Sequence, residues 1–321
     1  MIWRSEFDRR EALKLSWAAA LAAALPRPAE AAPLKLVFVH GRGQAGLNKD
    51  DLKATWLDTL SKGAAANGKK LPDHLEVAFP YYGDVLEKFV QKSRLPLPSN
   101  IHTKGDAKQD DYLAFQADVA TEIRLRAGVT DEQVDAEFSP EVRQRGPENW
   151  EWVQAIIRAI DHHVPSVSQD FLESFMRDVY LYTTNFAVQD AIDEIVTNDL
   201  TRQPTIVVGH SLGTVVAYHV LNNDKTLSVP LYVSVGSPLA IRAITKQLRP
   251  IAHPSSVKDW YNAFDKRDVV ALNPLDSGNF PIRPPIVNYD GVDNQTSNRH
   301  GITGYLNDKS VAAQILQGLG A

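Results

Sequence analysis

Ser211 stands between two glycines in the stretch IVVGHSLGTVVAY, residues 206–218, and its setting is typical of a nucleophilic serine. The strand-like run TIVV precedes the motif, and the helix-like run LGTVVAYHVL follows it. A sharp strand-to-helix turn strains the backbone of such a serine and exposes its hydroxyl. Gly209 and Gly213 have no side chain, so the turn can pass close to neighbouring backbone. The pattern predicts a reactive hydroxyl at the start of a helix.

A reactive serine needs a base, because its hydroxyl is a poor nucleophile until the proton is removed. An acid must in turn orient that base. On strand-turn-helix scaffolds of this type the chain order is serine, acid, histidine. His300, in the polar loop NQTSNRHGITGYL, is the one histidine beyond residue 253. The sequence therefore predicts His300 as the general base.

Two aspartates in WYNAFDKRDVVALNPL are candidates for the acid. Asp265 closes a strand-like run, and Asp268 follows it by three residues. Asp268 is favoured because the apolar run VVAL after it would bury the carboxylate against the imidazole. Asp265 is the alternative acid and a candidate cap of the turn.

An oxyanion formed on the substrate needs backbone donors, each worth about 10²- to 10³-fold in rate. The N–H groups of Arg42, in the loop HGRGQAG, and of Leu212 are the predicted pair. His40 is interpreted as a structural residue of that loop. Two interpretations remain open for the Arg42 side chain, which could hold an anionic substrate group or pair with an acid from the inserted helices.

The elements around these residues predict an α/β fold with a mainly parallel sheet covered by helices on both faces. Short apolar runs ended by turn residues alternate with helical patterns, as in βαβ units. The predicted strands are LKLVFVHG (34–41), LEVAFPYYG (75–83), TIVVGHS, LYVSVGSP and DWYNAFD, with the short strand-like PIVNY after them.

The alternation stops between residues 84 and 185, which are predicted to form a helical cap insertion. Helical patterns occur there near 112–127, 148–161 and 170–183, and Phe171, Phe175, Val179 and Tyr182 form one apolar stripe. The segment is far longer than an ordinary connection. Trp150 and Trp152 are predicted to lie in the core of this cap.

The first 31 residues resemble a twin-arginine export signal. Arg9 and Arg10 precede the apolar stretch Leu15–Leu25, and the small-residue pattern Ala29-Glu30-Ala31 follows it. The apolar stretch is about half the length of a membrane span, so a cleaved signal peptide is favoured over a permanent transmembrane helix. The expectation is an exported protein, periplasmic or secreted, with residues 32–321 as the mature domain. Uncleaved chain confined to the cytoplasmic fraction would contradict it.

Composition excludes several classes of function. The 321-residue chain has a net charge of −5, with 34 basic residues scattered among 39 acidic ones, which argues against nucleic-acid binding. The absence of cysteine rules out disulfides and thiolate chemistry. His162 and His163 are adjacent and point to different sides of a helix, so no metal is expected. The loop GRGQAG lacks the lysine–threonine ending of a phosphate loop, and no cofactor is predicted.

Five short segments follow one another in chain order: HG after a strand, GHSLG, GSPL, FDKRDVVAL and NRHGITGYL. Together they resemble the α/β-hydrolase superfamily, in particular its lipase-like serine esterases. The resemblance covers roughly residues 34–83 and 186–319. It implies an α/β-hydrolase fold, Ser211 as nucleophile, Asp268 as acid, His300 as base, and Arg42 with Leu212 at the oxyanion hole.

The function expected from this resemblance is hydrolysis of a small-molecule or lipid-like carboxylic ester through an acyl-enzyme. An amidase, a peptidase or an acyltransferase would use the same residues. A non-catalytic binding protein on the same fold is the alternative from another class. The sequence leaves the acyl chain length and the oligomeric state open.

Overall fold

The computed structural model describes residues 35–93, 95, 97, 107–138, 150–165 and 167–321. The described residues form one compact unit. The predicted export signal, residues 1–31, lies outside the described residues. Among the described helices, none combines the length and apolar character that crossing a bilayer requires.

Six parallel strands form one sheet in the spatial order β2-β1-β3-β4-β5-β6. Their bounds are β1 Lys35–Val39, β2 Glu76–Ala78, β3 Thr205–His210, β4 Val229–Val235, β5 Val257–Ala263 and β6 Val287–Tyr289. The expectation of an α/β fold with a parallel sheet is confirmed. The run predicted at 75–83 contributes only three residues to the sheet, because it reaches Pro80, which has no N–H for a ladder.

Apolar residues face both sides of the central strands, which explains why these strands are almost continuously apolar. Leu36 and Phe38 of β1 belong to the hydrophobic cluster on one face of the sheet. Val37 and Val39 belong to the cluster on the other face. Burial on both faces requires a layer of helices on each side.

The helices before the third strand are α1 Lys49–Ala66, α2 Gly83–Ser93, α3 Ala107–Arg126, α4 Asp131–Ala136, α5 Trp150–His163, α6 Gln169–Thr184 and α7 Phe186–Asp199. Those after it are α8 Leu212–Asn223, α9 Arg242–Gln247, α10 Ile302–Leu306 and α11 Lys309–Gly318. Helices α1, α10 and α11 cover one face of the sheet. Helix α8, with α7 and the inserted helices, covers the other.

The predicted helical insertion corresponds to α2 to α6. The three patterns read from the sequence match α3, α5 and α6, while α2 and α4 were not predicted. The buried faces of α3, α5 and α6 belong to the same hydrophobic cluster as α8 and the sheet. Trp150 and Trp152 are half-buried and pack against this cluster, at its margin rather than in its centre.

The strand order places a crevice at the carboxyl ends of β1 and β3. From β1 the chain crosses to β2 on one side of the sheet, and it then returns to β3 on the other side of β1. Parallel α/β sheets bind ligands where the direction of winding reverses in this way. The loop that begins at Gly41 and the turn at Ser211 both follow these two strands.

Candidate active site

Ser211 occupies a strained turn between β3 and α8. Its backbone has φ 54° and ψ −129°, and only one other described residue besides glycine has a positive φ. Such a conformation costs about 1–3 kcal/mol in a residue with a side chain and is concentrated at functional sites. The Ser211 N–H donates to the Val235 carbonyl at 3.2 Å, which ties the turn to β4.

The two glycines that flank Ser211 are required by close backbone contacts. A Cβ atom on Gly213 would lie 2.2 Å from the Val39 carbonyl oxygen and 2.4 Å from that of His40. A Cβ on Gly209 would lie 3.0 Å from the Gly213 oxygen. The turn therefore packs directly on the end of β1, and larger residues at these positions would push it away.

Ser211, His300 and Asp268 form one chain of hydrogen bonds. The distance from Ser211 Oγ to His300 Nε2 is 2.8 Å, and that from His300 Nδ1 to Asp268 Oδ2 is 2.7 Å. The three residues are 2 %, 4 % and 0 % exposed. A carboxylate only accepts, so Nδ1 carries the proton and Nε2 is free to accept the serine hydroxyl. This is the tautomer that a general base requires.

Tyr305, on α10, is a site residue that sequence reasoning missed. Its hydroxyl donates to Asp268 Oδ2 at 2.6 Å, the same oxygen that accepts from His300. Burial, and then the negative charge of Asp268, raises the pKa of Tyr305 well above its ordinary value, so the hydroxyl stays protonated. The other oxygen, Oδ1, accepts from the Val270 N–H at 3.0 Å. These donors fix the carboxylate in place.

We expect Tyr305→Phe to move the acidic limb of the pH profile of kcat/KM to higher pH. Without the hydroxyl, Asp268 carries more negative charge toward His300 and favours the protonated imidazole, which is inactive as a base. We also expect kcat on the plateau to fall by up to about tenfold, since one hydrogen bond is lost. Ester hydrolysis measured between pH 5 and 9 tests this. An unchanged profile in a folded variant would contradict it.

Asp265, the alternative acid, makes no contact with His300. Its carboxylate accepts from the Arg267 N–H at 2.8 Å, from the Arg267 side chain and from the Asn294 N–H at 2.8 Å. Burial acts to raise the pKa of Asp265, but these hydrogen bonds outweigh it and hold the pKa below its ordinary value. Asp265 therefore closes the turn and ties it to the segment that leads to His300.

The loop that carries His300 is held from several sides. Arg299 has φ 52°, the second positive value in a residue other than glycine. The His300 N–H donates to Asn298 Oδ1 at 3.1 Å. Gly236, in the segment GSPL, lies so close that a Cβ there would be 3.3 Å from both the His300 ring and Asp268 Oδ2.

His210, the residue before Ser211, also supports this loop. Burial, and then the proximity of His300, lowers the pKa of His210 well below its ordinary value, so the ring is neutral. Its Nε2 lies 2.7 Å from the His300 carbonyl oxygen and must therefore donate to it. The sequence signal for His210 was its position inside the motif GHSLG, but a sequence does not show which groups the imidazole ring contacts.

The predicted oxyanion donors lie beside the nucleophile. A Cβ on Gly41 would lie 2.9 Å from Ser211 Cβ, so the backbone that leads into Arg42 runs against the serine. Within the described residues, neither the Arg42 N–H nor the Leu212 N–H has a hydrogen-bond partner. Leu212 opens α8, whose N-terminal end carries partial positive charge. Both donors are free to bind a developing negative charge.

His40 stabilises the same loop through hydrogen bonds. Its Nε2 accepts from the Tyr82 N–H at 3.0 Å, and its Nδ1 lies 2.7 Å from the Gly41 carbonyl oxygen. Burial lowers the pKa of His40 to about 4. The Tyr82 hydroxyl donates to the His40 carbonyl, and the two rings stack at 4.0 Å. The neutral ring joins the ends of β1 and β2 and is not placed to act as a base.

Helix α6 of the insertion covers the site. The edge of Phe171 meets the His300 ring, with centroids 5.7 Å apart. Arg42 Nε donates to Asp178 Oδ2 at 2.8 Å, so its side chain does pair with an acid of the inserted helices. A cavity of about 720 Å³ opens elsewhere, between α2, α3, α6 and α9, and neither Ser211 nor His300 lines it.

The described residues contain no group of three or more acidic or histidine side chains arranged to hold a metal ion. His162, one of the paired histidines, contacts Glu137 at 2.7 Å on the exposed side of α5. No protein-family model matches the chain, and a search of the curated proteins finds no match.

Proposed function

We propose that this protein is a serine hydrolase with an α/β-hydrolase fold that cleaves carboxylic esters through a covalent acyl-enzyme. The proposal rests on the hydrogen-bonded chain from Ser211 through His300 to Asp268, with distances of 2.8 Å and 2.7 Å, on a turn strained at the serine. Strain at the nucleophile, a correctly protonated base and a buried acid are three independent requirements of this chemistry.

In the first half of the reaction, Ser211 Oγ attacks the ester carbonyl while His300 Nε2 takes the hydroxyl proton. The imidazolium is stabilised by Asp268, whose carboxylate already faces Nδ1. Collapse of the tetrahedral intermediate expels the alcohol, which receives the proton from Nε2. In the second half a water molecule replaces the alcohol, gives its proton to Nε2, and releases the carboxylic acid and free Ser211.

The negative charge of each tetrahedral intermediate develops beside the N–H groups of Arg42 and Leu212, which have no hydrogen-bond partner among the described residues. Buried, prearranged donors stabilise such charge more than water does, because they need no reorganisation during the reaction. An ester is the favoured substrate because an alkoxide leaves more readily than an amine anion. Phe171 above His300 gives the entrance an apolar wall that suits a small-molecule or lipid-like ester.

Labelling with a fluorophosphonate probe tests the proposal directly. We expect one equivalent of probe to attach to the peptide that contains Ser211, because only an activated serine attacks phosphorus at a useful rate. Peptide mapping by mass spectrometry locates the adduct, and Ser211→Ala serves as the control. Absence of label on the folded protein would favour the non-catalytic binding protein instead.

A further inference from the structure

Two arginines share one carboxylate beside the nucleophile. Arg42 Nε donates to Asp178 Oδ2 at 2.8 Å. Arg177 Nε and Nη2 donate to the other oxygen, Oδ1, at 3.2 Å and 3.1 Å. Asp178 thus binds Nε of Arg42 together with Nε and Nη2 of Arg177, which leaves both Nη groups of Arg42 and Nη1 of Arg177 without a bond to this carboxylate.

The remaining guanidinium nitrogens of the two arginines have no acceptor among the described residues. Both Nη atoms of Arg42 and Nη1 of Arg177 make no hydrogen bond to a described residue. The Arg42 and Arg177 side chains are 20 % and 16 % exposed, whereas that of Asp178 is 5 % exposed. The carboxylate is therefore the most buried part of the cluster, and both arginine side chains are partly exposed.

This cluster lies next to the proposed reaction centre. Arg42 follows Gly41, which packs against Ser211, and its guanidinium carbon lies 6.0 Å from the centre of the Phe171 ring. Phe171 in turn meets His300. Arg42 is therefore placed to offer its backbone N–H to an oxyanion and its side chain to another part of the substrate.

We propose that Arg42 and Arg177 form a subsite for an anionic oxygen group, such as a carboxylate, on the ester that Ser211 cleaves. This inference rests on the proposed function. A planar guanidinium fork matches the two oxygens of a carboxylate, and such charge-assisted pairs are among the strongest hydrogen bonds in proteins. A neutral apolar group would instead cover these donors without satisfying them, which is unfavourable.

A second carboxylate of α6, that of Glu173, is buried and hydrogen-bonded. Glu173 lies one turn before Arg177 on α6, is fully buried and accepts from Gln169 Nε2 at 2.6 Å. Glu173 and Asp178 offset the charge of the two arginines within the buried layer. The preference for an anion therefore comes from those guanidinium N–H groups of Arg42 and Arg177 that have no acceptor among the described residues.

Two para-nitrophenyl esters that differ only in charge test this subsite: the half-ester of adipic acid and its neutral terminal amide. We expect the kcat/KM ratio of anionic to neutral ester to be about 10 to 100, the effect of one or two charged hydrogen bonds. Arg42→Met and Arg177→Met should each lower this ratio by about tenfold. Added salt should lower it in the wild type, since the arginines are partly exposed.

Arg202→Met is the matched control, because it removes the same charge from an exposed position just before the amino end of β3. Its ratio should equal that of the wild type. A wild-type ratio of one or less, or equal ratios in all three variants, would overturn the subsite and leave the proposed function intact. Circular dichroism checks folding, and the two independent arginine variants keep the test decisive if one fails to fold.

Binding to Ser211→Ala provides a readout that does not depend on turnover. In calorimetric titrations, the anion monomethyl adipate should bind at least about tenfold more tightly than the neutral dimethyl adipate does. In the double variant that combines Ser211→Ala with Arg42→Met, this difference should disappear. Equal affinities would overturn the subsite. If neither activated ester is cleaved and no probe labels Ser211, the proposed function fails, and this titration still decides whether the arginines bind anions.

Discussion

Ser211→Ala is expected to lower kcat/KM for an activated short-chain ester by about 10⁴- to 10⁶-fold, because nucleophile, base and acid work as a unit. The variant retains the oxyanion donors of Arg42 and Leu212 and should keep a small activity above the uncatalysed rate. KM should change little, since the hydroxyl contributes to the reaction more than to ground-state binding.

Ser277→Ala is the control, because Ser277 is an exposed loop serine away from the described hydrogen-bonded chain. Its activity should match that of the wild type. Para-nitrophenol release measures both variants, and a thermal unfolding scan shows that each is folded. Turnover by folded Ser211→Ala within about tenfold of the wild type would rule out the acyl-enzyme mechanism.

The sequence predicts the strands well because burial on both faces makes them continuous apolar runs. Leu36 to Val39 alternate between the two hydrophobic clusters, so no polar residue interrupts β1. Peripheral β2 is shorter than the apolar run that contains it. Its length is set by where Pro80 and the following helix leave the sheet, which is a property of tertiary packing.

Ser211, His300 and Asp268 could be proposed from the sequence as one group because the proposed chemistry constrains residue type and chain order, and the structure places them in hydrogen-bond contact. Tyr305 and His210 could not, because tyrosine and histidine have many structural uses and only their contacts assign these two to the site. Asp178 was also beyond reach, since its approach to Arg42 depends on how α6 packs over the sheet.

Substitution of the two aspartates near the end of β5, Asp268 and Asp265, should have very different effects on activity. We expect Asp268→Asn to lower kcat by about 10³- to 10⁴-fold, as loss of the correct histidine tautomer does in such systems. If the amide oxygen keeps the hydrogen bond from the Val270 N–H, its NH₂ group faces both His300 Nδ1 and the Tyr305 hydroxyl, which must then accept instead of donate. Nδ1 must then accept, which moves the proton to Nε2, and Nε2 can no longer accept the Ser211 hydroxyl. The reversed amide would leave the buried Val270 N–H without its acceptor.

Asp265→Asn is the matched comparison, with the same substitution three residues away. It should keep kcat within about tenfold of the wild type and lower the free energy of unfolding by about 1–3 kcal/mol, because it weakens a buried charged hydrogen-bond network. Urea unfolding and ester hydrolysis measured on both variants separate the two roles. A large loss of kcat in Asp265→Asn with near-normal activity in Asp268→Asn would assign the acid to Asp265 instead.

The pH dependence of stability tests the role of Asp265 independently of the activity measurements. Burial opposes ionisation of Asp265, yet its hydrogen bonds to Arg267 and Asn294 hold its pKa below the ordinary value. The stabilising contribution of Asp265 is therefore complete above the pKa of the unfolded chain and is lost as the pH falls through the folded pKa. Asp265→Asn should be less stable than the wild type at neutral pH and should converge with it in acid. A constant difference across that range would show that the charge of Asp265 does not stabilise the loop that leads to His300.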